Sequence, residues 1–171
     1  GYSSISMQIG EPKHPTPDLI RAALVDNLSG LSVYPATAGS PAIRLSIAGW
    51  LERRYGLTEI DPDLHVLPVN GSREALFAIA QVVVDSSRGN ATVICPNPFY
   101  QIYEGAALLA GASPYFFNTE HLAAGTADFS EIPDSVWSRT QLLYACSPGN
   151  PTGRVMTLED WKALFNLSER Y

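Results

Sequence analysis

The chain has 171 residues, of which 46% are hydrophobic and 16% are charged. This composition is typical of a globular protein with a hydrophobic core, and it excludes a mainly disordered chain. The formal net charge of -6 argues against a nucleic-acid-binding surface, and the basic pair Arg53-Arg54 is interpreted as an exposed helix face.

The cysteines and the apolar runs bear on the cellular compartment of the protein and on membrane association. Cys95 and Cys146 each end an apolar run, where a free cysteine usually behaves as a small buried hydrophobic residue. No apolar run approaches the roughly 18 residues that cross a membrane, and the first residues do not resemble a signal peptide. The histidines lack metal-ligand spacing. We therefore expect a cytoplasmic protein without a metal site or a membrane partner.

Two helices are predicted in the first third of the chain, after a polar, proline-rich arm. Thr16 as the N-cap and Pro17 at the first helical position predict a helix that ends near Ser29-Gly30. Ser40-Pro41 predicts the start of a second helix, and Gly56 predicts its end.

The next segment predicts a strand followed by a helix whose start suits an anion. Residues 65 to 69 are predicted to form a short apolar strand. The predicted helix from Ser72 to Val84 is apolar nearly all round, so we expect it to be buried. Its N-terminus would then present the N–H groups of Gly71, Ser72 and Arg73 inside the protein, where they suit a phosphate. The alternative is a simple Ser72 cap completed by Glu74.

Three further apolar runs predict strands, at 91 to 95, 113 to 117 and 141 to 146. A helix from Tyr100 to Ala110 separates the first two, and a polar connector over 118 to 136 separates the last two. Open parallel sheets bind ligands where their strands end. Proline-rich turns follow two of these strands, so we expect ligand-binding residues there.

The turn after the last strand, Ser147 to Gly153, is too rich in Pro and Gly to continue as strand or helix. Pro151 favours an extended backbone at Asn150, so that the Asn150 amide can face a ligand. An ordinary strand-ending turn is the alternative. Thr157 and Asp160 then form a capping box, which predicts a last helix to about Glu169.

Five segments carry the most specific pattern in the chain. They are Ile9-Gly-Glu-Pro-Lys-His-Pro-Thr-Pro17, Tyr34-Pro-Ala-Thr-Ala-Gly39, Asn70-Gly-Ser-Arg-Glu-Ala75, Pro96-Asn-Pro-Phe-Tyr-Gln-Ile-Tyr103 and Tyr144-Ala-Cys-Ser-Pro-Gly-Asn-Pro-Thr-Gly153. In this order they resemble the class I and II aminotransferases, the fold-type-I enzymes that use pyridoxal 5'-phosphate (PLP). Within that family they are most similar to bacterial succinyldiaminopimelate aminotransferases of lysine biosynthesis.

The resemblance implies an α/β fold, namely a three-layer α/β/α large domain with a mostly parallel sheet, truncated here and preceded by an N-terminal arm. Residues 1–33 would form the arm and first helix on the small-domain side, and residues 34–171 the N-terminal part of the PLP-binding large domain. The family's strand order is 3-2-4-5-6-7-1, which leaves the strand at 65 to 69 without its partner. We expect a fragment of a longer protein that alone is oligomeric or only partly ordered.

The resemblance also implies a cofactor site. Gly71, Ser72 and Arg73 would hold the phosphate of PLP, Tyr100 would stack on its ring, and Asn150 would hydrogen-bond its phenolic oxygen. An aromatic face is physically suited to a flat, electron-poor ring.

Two more residues receive roles from the family. Tyr34 would reach the cofactor phosphate of the neighbouring subunit in a homodimer, with packing on its own domain as the alternative. Gly10 would let a substrate carboxylate approach the backbone, with an ordinary loop glycine as the alternative. The bonds Asn97-Pro98 and Asn150-Pro151 are expected to be cis, as in relatives.

PLP chemistry requires a Schiff-base lysine, and neither Lys13 nor Lys162 matches the family's context for it. We therefore assign no catalytic residue and expect the chain alone to be inactive. The parent enzyme would transfer an amino group between glutamate/2-oxoglutarate and an amino acid, with N-succinyl-LL-2,6-diaminopimelate as a candidate. The alternatives are a PLP-dependent C–S lyase or β-eliminase, and a cofactor-free regulatory or interaction domain on the same fold.

Overall fold

The computed structural model describes residues 2–5, 10–119 and 129–171. Ile9, at the start of the first motif, and residues 120–128 of the predicted connector lie outside the described residues. Contacts divide the chain into two units, Gly1–Pro68 and Val69–Tyr171. The predicted boundary between residues 33 and 34 concerns the domains of a whole enzyme and stays a prediction. None of the helices that the structure describes is both long and apolar enough to span a bilayer.

The first unit is helical. Helix α1 spans Asp18–Asp26, a 3-10 turn spans Leu28–Ser32, and helix α2 spans Pro41–Tyr55. Helix α1 starts one residue later than predicted, with Pro17 rather than Thr16 at the N-cap position. It ends earlier because the side chain of Asn27 donates to the carbonyl of Ala23 (2.8 Å), which satisfies one of the last acceptors of the helix.

Helix α2 has the predicted bounds because both of its ends are capped. The Ser40 hydroxyl accepts a hydrogen bond from the N–H of Ile43 at 3.3 Å. Gly56 ends the helix with a left-handed backbone (φ 70°), a conformation that glycine adopts without steric cost.

The strand predicted at 65 to 69 is not formed. Residues 66–69 belong to no backbone ladder of the described chain and follow a turn in which the N–H of His65 donates to the Asp61 carbonyl (2.9 Å). A strand requires a neighbouring backbone for its N–H and C=O groups, and the described residues provide none here. Among the described residues this segment pairs with no other strand, and pairing outside its family position and oligomer formation both stay predictions.

The second unit contains a three-stranded parallel sheet. Strands β1 (Thr92–Asn97), β2 (Ser113–Asn118) and β3 (Thr140–Leu143) lie in the order β2-β1-β3. This is the order that the resemblance implies for these three strands, and the parallel sheet with its helices confirms the α/β fold class. Strand β3 ends before the predicted Cys146, although the N–H of Tyr144 still donates to the Ile94 carbonyl at 3.0 Å.

Four helices accompany the sheet: α3 (Ser72–Val83), α4 (Ile102–Leu109), α5 (Asp134–Trp137) and α6 (Leu158–Arg170). Because side chains alternate along a strand, Val93 and Cys95 of β1 join one core cluster and Ile94 joins another. The first cluster contains Tyr103 and Ala107 of α4. The second packs against Leu164 and Leu167 of α6 and includes Phe117, Phe129, Ile132, Val136 and Trp137.

Helix α3 is not buried, which corrects the expectation from its apolar sequence. Only Ala80 is buried, and Val82 on the opposite face is 80% exposed. One face packs on α4, where the Gln81 side chain donates to the Ala106 carbonyl at 3.0 Å. The described residues do not cover the other face, so the helix start lies at the surface rather than inside the protein.

Candidate functional site

The N-terminus of α3 keeps free hydrogen-bond donors. Gly71 is the N-cap residue, has an extended backbone (φ 177°), and no side chain caps the helix. The first N–H to bond back is that of Ala75, to the Gly71 carbonyl at 3.2 Å. Within the described residues, the N–H groups of Ser72, Arg73 and Glu74 have no acceptor, so the alternative of a Ser72 cap is wrong. These donors suit an anion, as the sequence predicts.

Glu74 folds back over this helix start. A Cβ atom on Gly71 would lie 2.5 Å from Oε2 of Glu74, so the carboxylate occupies the space beside the glycine. A carboxylate is stabilised near the positive end of a helix dipole. The site therefore already attracts one negative group, supplied by the chain itself.

Arg73 and Tyr100 are brought together from different elements. Nε of Arg73 donates to the hydroxyl of Tyr100 at 2.9 Å, and the guanidinium carbon lies 5.8 Å from the centre of the ring. This hydrogen bond raises the pKa of Arg73 further above its ordinary value, so the side chain stays a cation. Its Nη1 and Nη2 atoms make no hydrogen bond in the part of the chain that the structure describes, which leaves both to bind an anion.

Asn150 lies at the same edge of the sheet, in the turn that follows β3. Two backbone bonds close that turn: the N–H of Gly149 donates to the Arg154 carbonyl (2.7 Å), and the N–H of Gly153 donates to the Gly149 carbonyl (2.6 Å). The Asn150 side chain is exposed and has no hydrogen-bond partner among the described residues. Its amide is therefore available to a ligand.

A cavity of about 70 Å³ lies where the three strands end. Its lining includes Pro96 and Pro98 after β1, Thr119 after β2, and Cys146 and Asn150 after β3. The peptide bonds Asn97-Pro98 and Asn150-Pro151 are cis, which confirms the sequence-based expectation, and Ser147-Pro148 is cis as well.

Two buried tyrosines, Tyr103 and Tyr144, contact each other and α3 close to the candidate site. Tyr103 is 3% exposed, and Tyr144, the first residue of the last motif, is 6% exposed. Their rings stack with centres 4.4 Å apart, and the Tyr144 hydroxyl donates to the Leu76 carbonyl of α3 at 2.6 Å. Burial raises the pKa of Tyr144, and it raises that of Tyr103 to about 12. The sequence signal that could have identified Tyr144 is a single tyrosine in the otherwise mainly aliphatic run predicted as a strand at 141 to 146.

Tyr34 and Gly10 belong to the first unit. Tyr34 is fully exposed among the described residues, and both its contact with a neighbouring subunit and its packing on its own domain stay predictions. A Cβ on Gly10 would meet no described atom within 4 Å, so these residues give no steric reason for a glycine there.

Neither lysine occupies a catalytic environment in the described structure. Lys162 is exposed on α6 with its Nζ 3.9 Å from Oε1 of Glu159, and Lys13 lies in an exposed segment of the first unit. Both side chains are exposed, whereas an amine nucleophile is activated by desolvation in an apolar pocket or by a neighbouring cation. Among the described residues, no three His, Cys, Asp or Glu side chains form a metal-binding group.

Comparison with known proteins identifies relatives along the whole chain. The chain is 34% identical over 176 residues to the LL-diaminopimelate aminotransferase of Desulforudis audaxviator, covering 100% of this chain and 43% of that protein. It is 35% identical over 164 residues to the enzyme of the same name from Dehalococcoides mccartyi, covering 95% and 41%. The chain thus spans less than half the length of these relatives.

Solved structures give the same result. An aminotransferase from Neisseria meningitidis matches with a TM-score of 0.92 and 46% identity, covering 100% of this chain and 43% of that one. A mutant aspartate aminotransferase from Thermus thermophilus matches with a TM-score of 0.81 and 29% identity, covering 95% and 41%. The family model for aminotransferase class I and II matches residues 3–171. The chain therefore belongs to the class I and II aminotransferases, a family of enzymes that depend on pyridoxal 5'-phosphate.

Proposed function

We propose that the protein containing this chain transfers an amino group between glutamate/2-oxoglutarate and an amino acid of the diaminopimelate type. The motif resemblance favours N-succinyl-LL-2,6-diaminopimelate, and the names of the relatives from D. audaxviator and D. mccartyi support the diaminopimelate class. A homodimer in the cytoplasm that binds no nucleic acid is part of the same proposal.

The observation that carries the proposal is the pairing of Arg73 with Tyr100 at the uncapped start of α3. It places a cation and free N–H groups, which bind a phosphate, beside an aromatic ring, which stacks on a pyridine. Asn150, with a free amide at the end of the neighbouring strand, adds a donor for a phenolic oxygen. The residues present therefore fit PLP.

Each residue acts on the cofactor by holding or orienting it. The N–H groups of the first turn of α3 and the Nη atoms of Arg73 bind the phosphate. The ring of Tyr100 restricts the tilt of the pyridine, and the Asn150 side chain donates its N–H to the phenolic oxygen. PLP, when bound, supplies an electron sink for amino-group transfer. We propose that the lysine that binds PLP lies outside this chain.

Tyr34 and Gly10 complete the proposed assignment. Tyr34, fully exposed, would donate its hydroxyl to the phosphate bound by the neighbouring subunit, and the backbone at Gly10 would face the substrate carboxylate. Both roles are proposals for the whole dimeric enzyme.

The test uses the full-length protein. Addition of PLP is expected to produce the visible absorbance of the bound cofactor, and a panel of amino donors with 2-oxoglutarate is expected to yield glutamate from a diaminopimelate derivative. Release of a 2-oxo acid and ammonia without an amino acceptor would instead identify a lyase. Absence of bound PLP would favour the cofactor-free alternative and contradict the proposal.

A further inference from the structure

A closed series of contacts joins α3 to the residues that follow β1 and β3, by way of Tyr103 of α4. It runs from the Leu76 carbonyl through Tyr144, Tyr103 and Tyr100, and it returns to α3 at Arg73. We infer that Tyr144 and Tyr103 are positioning residues, which fix the start of α3 relative to the ring of Tyr100 and to the turn after β3. This inference rests on the PLP binding proposed above.

The first contact ties α3 to the residue that directly follows β3. The Tyr144 hydroxyl donates to the Leu76 carbonyl at 2.6 Å, and Tyr144 is only 6% exposed. Burial raises the pKa of this hydroxyl, so it stays protonated and remains a donor at neutral pH. Leu76 lies one turn beyond Arg73, while β3 leads directly into the turn of Asn150. One hydrogen bond thus couples the two ends of the site that PLP would span.

The second set of contacts places Tyr100. The ring of Tyr103 stacks on Tyr144 at an interplanar angle of 15° and meets the ring of Tyr100 edge to face, with centres 6.0 Å apart and an angle of 89°. Tyr100 is held on its other side by the hydrogen bond from Arg73. Offset-stacked and edge-to-face pairs are favoured aromatic geometries, so each ring restricts the orientation of the next.

The test compares two ligands that differ only in the phosphate. Dissociation constants of PLP and of pyridoxal are measured for the full-length apoenzyme and for Tyr144→Phe, which keeps the ring and removes the hydroxyl. Loss of one net hydrogen bond lets α3 shift from β3, so PLP binding should weaken about fivefold more than pyridoxal binding. A variant that only destabilises the fold weakens both ligands equally, because the unfolded fraction cancels in the ratio.

Two further variants serve as a control and as a larger substitution at the same position. Tyr115→Phe removes a hydroxyl from a tyrosine that packs against the other core cluster, and it should keep the wild-type ratio. Tyr144→Leu also removes the ring that stacks on Tyr103, so it should weaken pyridoxal as well as PLP.

The outcomes separate this inference from the proposed function. A wild-type enzyme that binds PLP, together with a Tyr144→Phe variant that keeps the wild-type ratio, overturns the inference alone. A wild-type enzyme that fails to bind PLP overturns the proposed function and the inference with it. A selective loss of PLP affinity in Tyr144→Phe supports both.

Discussion

Two neighbouring side chains of opposite sign set the charge at the start of α3. Arg73 directs its guanidinium to Tyr100, while the carboxylate of Glu74 lies beside Gly71 and contributes to the raised pKa of Arg73 after the larger effect of Tyr100. In the absence of another anion, Glu74 is stabilised by the helix dipole. A phosphate bound to the same N–H groups would be repelled by this carboxylate.

Glu74→Gln is therefore expected to strengthen phosphate binding. Removing the negative charge while keeping the side-chain length should lower the dissociation constant of PLP, or of inorganic phosphate for the apoenzyme, by about threefold at low salt. Isothermal titration of the full-length protein measures this change. Glu159→Gln makes the same substitution in the first turn of α6 and serves as the matched control. Equal affinity for Glu74→Gln and the wild type would contradict a phosphate site at α3.

Helix α6 anchors the turn that carries Asn150. The carboxylate of Asp160 is fully buried, accepts the N–H of Thr157 at 2.8 Å, and pairs with Nη2 of Arg154 at 3.4 Å. Thr157 in return accepts the N–H of Asp160 at 3.1 Å, so the predicted capping box is confirmed. Since Arg154 also accepts the N–H of Gly149 through its carbonyl, α6 and the turn form one hydrogen-bonded assembly.

Asp160→Ala should cost more stability than Thr157→Ala. Loss of the Thr157 cap typically costs about 1 kcal/mol, whereas Asp160→Ala also leaves the partly buried Arg154 cation without its partner, for a total of about 2–3 kcal/mol. Urea unfolding of the full-length protein, followed by Trp fluorescence, measures both. Thr157→Ser keeps the cap and should change little. A smaller loss for Asp160→Ala than for Thr157→Ala would show that the Arg154 contact is not stabilising.

Local signals explain which elements could be predicted from the sequence. Helix α2 has the predicted bounds because Ser40 and Gly56 act on their own neighbours, and α6 begins as predicted because its capping box is local. The predictions of a strand at 65 to 69 and of a buried α3 were wrong, because each feature depends on neighbouring segments that the described chain does not supply. A hydrophobic pattern indicates which face of a helix or strand is buried in the folded protein, but it does not identify the segment that packs against that face.

At the scale of the whole molecule, the candidate site also combines residues that the sequence predicts with contacts that it does not predict. Motifs located Gly71, Arg73, Tyr100 and Asn150, and the strand order places Tyr100 and Asn150 at the ends of adjacent strands. The hydrogen bond from Tyr144 to α3 joins residues 68 positions apart, a distance over which the sequence carries no periodic signal. Such a contact follows only from the packing of α3 against β3 and α4.

The isolated chain exposes surfaces that favour association. In the described second unit, β3 pairs only with β1, and α3 exposes Ile79 (43%) and Val82 (80%) on one face. Open strand edges and contiguous apolar faces promote association. We therefore expect the isolated 171-residue chain to form oligomers in sedimentation velocity or to bind a hydrophobic dye as a partly ordered monomer.

Val82→Lys, at a position that is exposed and makes no core contact, should shift the distribution toward monomer, whereas Ser87→Lys on an exposed turn should not. A compact monomer that binds no dye, with residues 66–69 protected from hydrogen exchange, would contradict this prediction and show that the segment pairs within one chain.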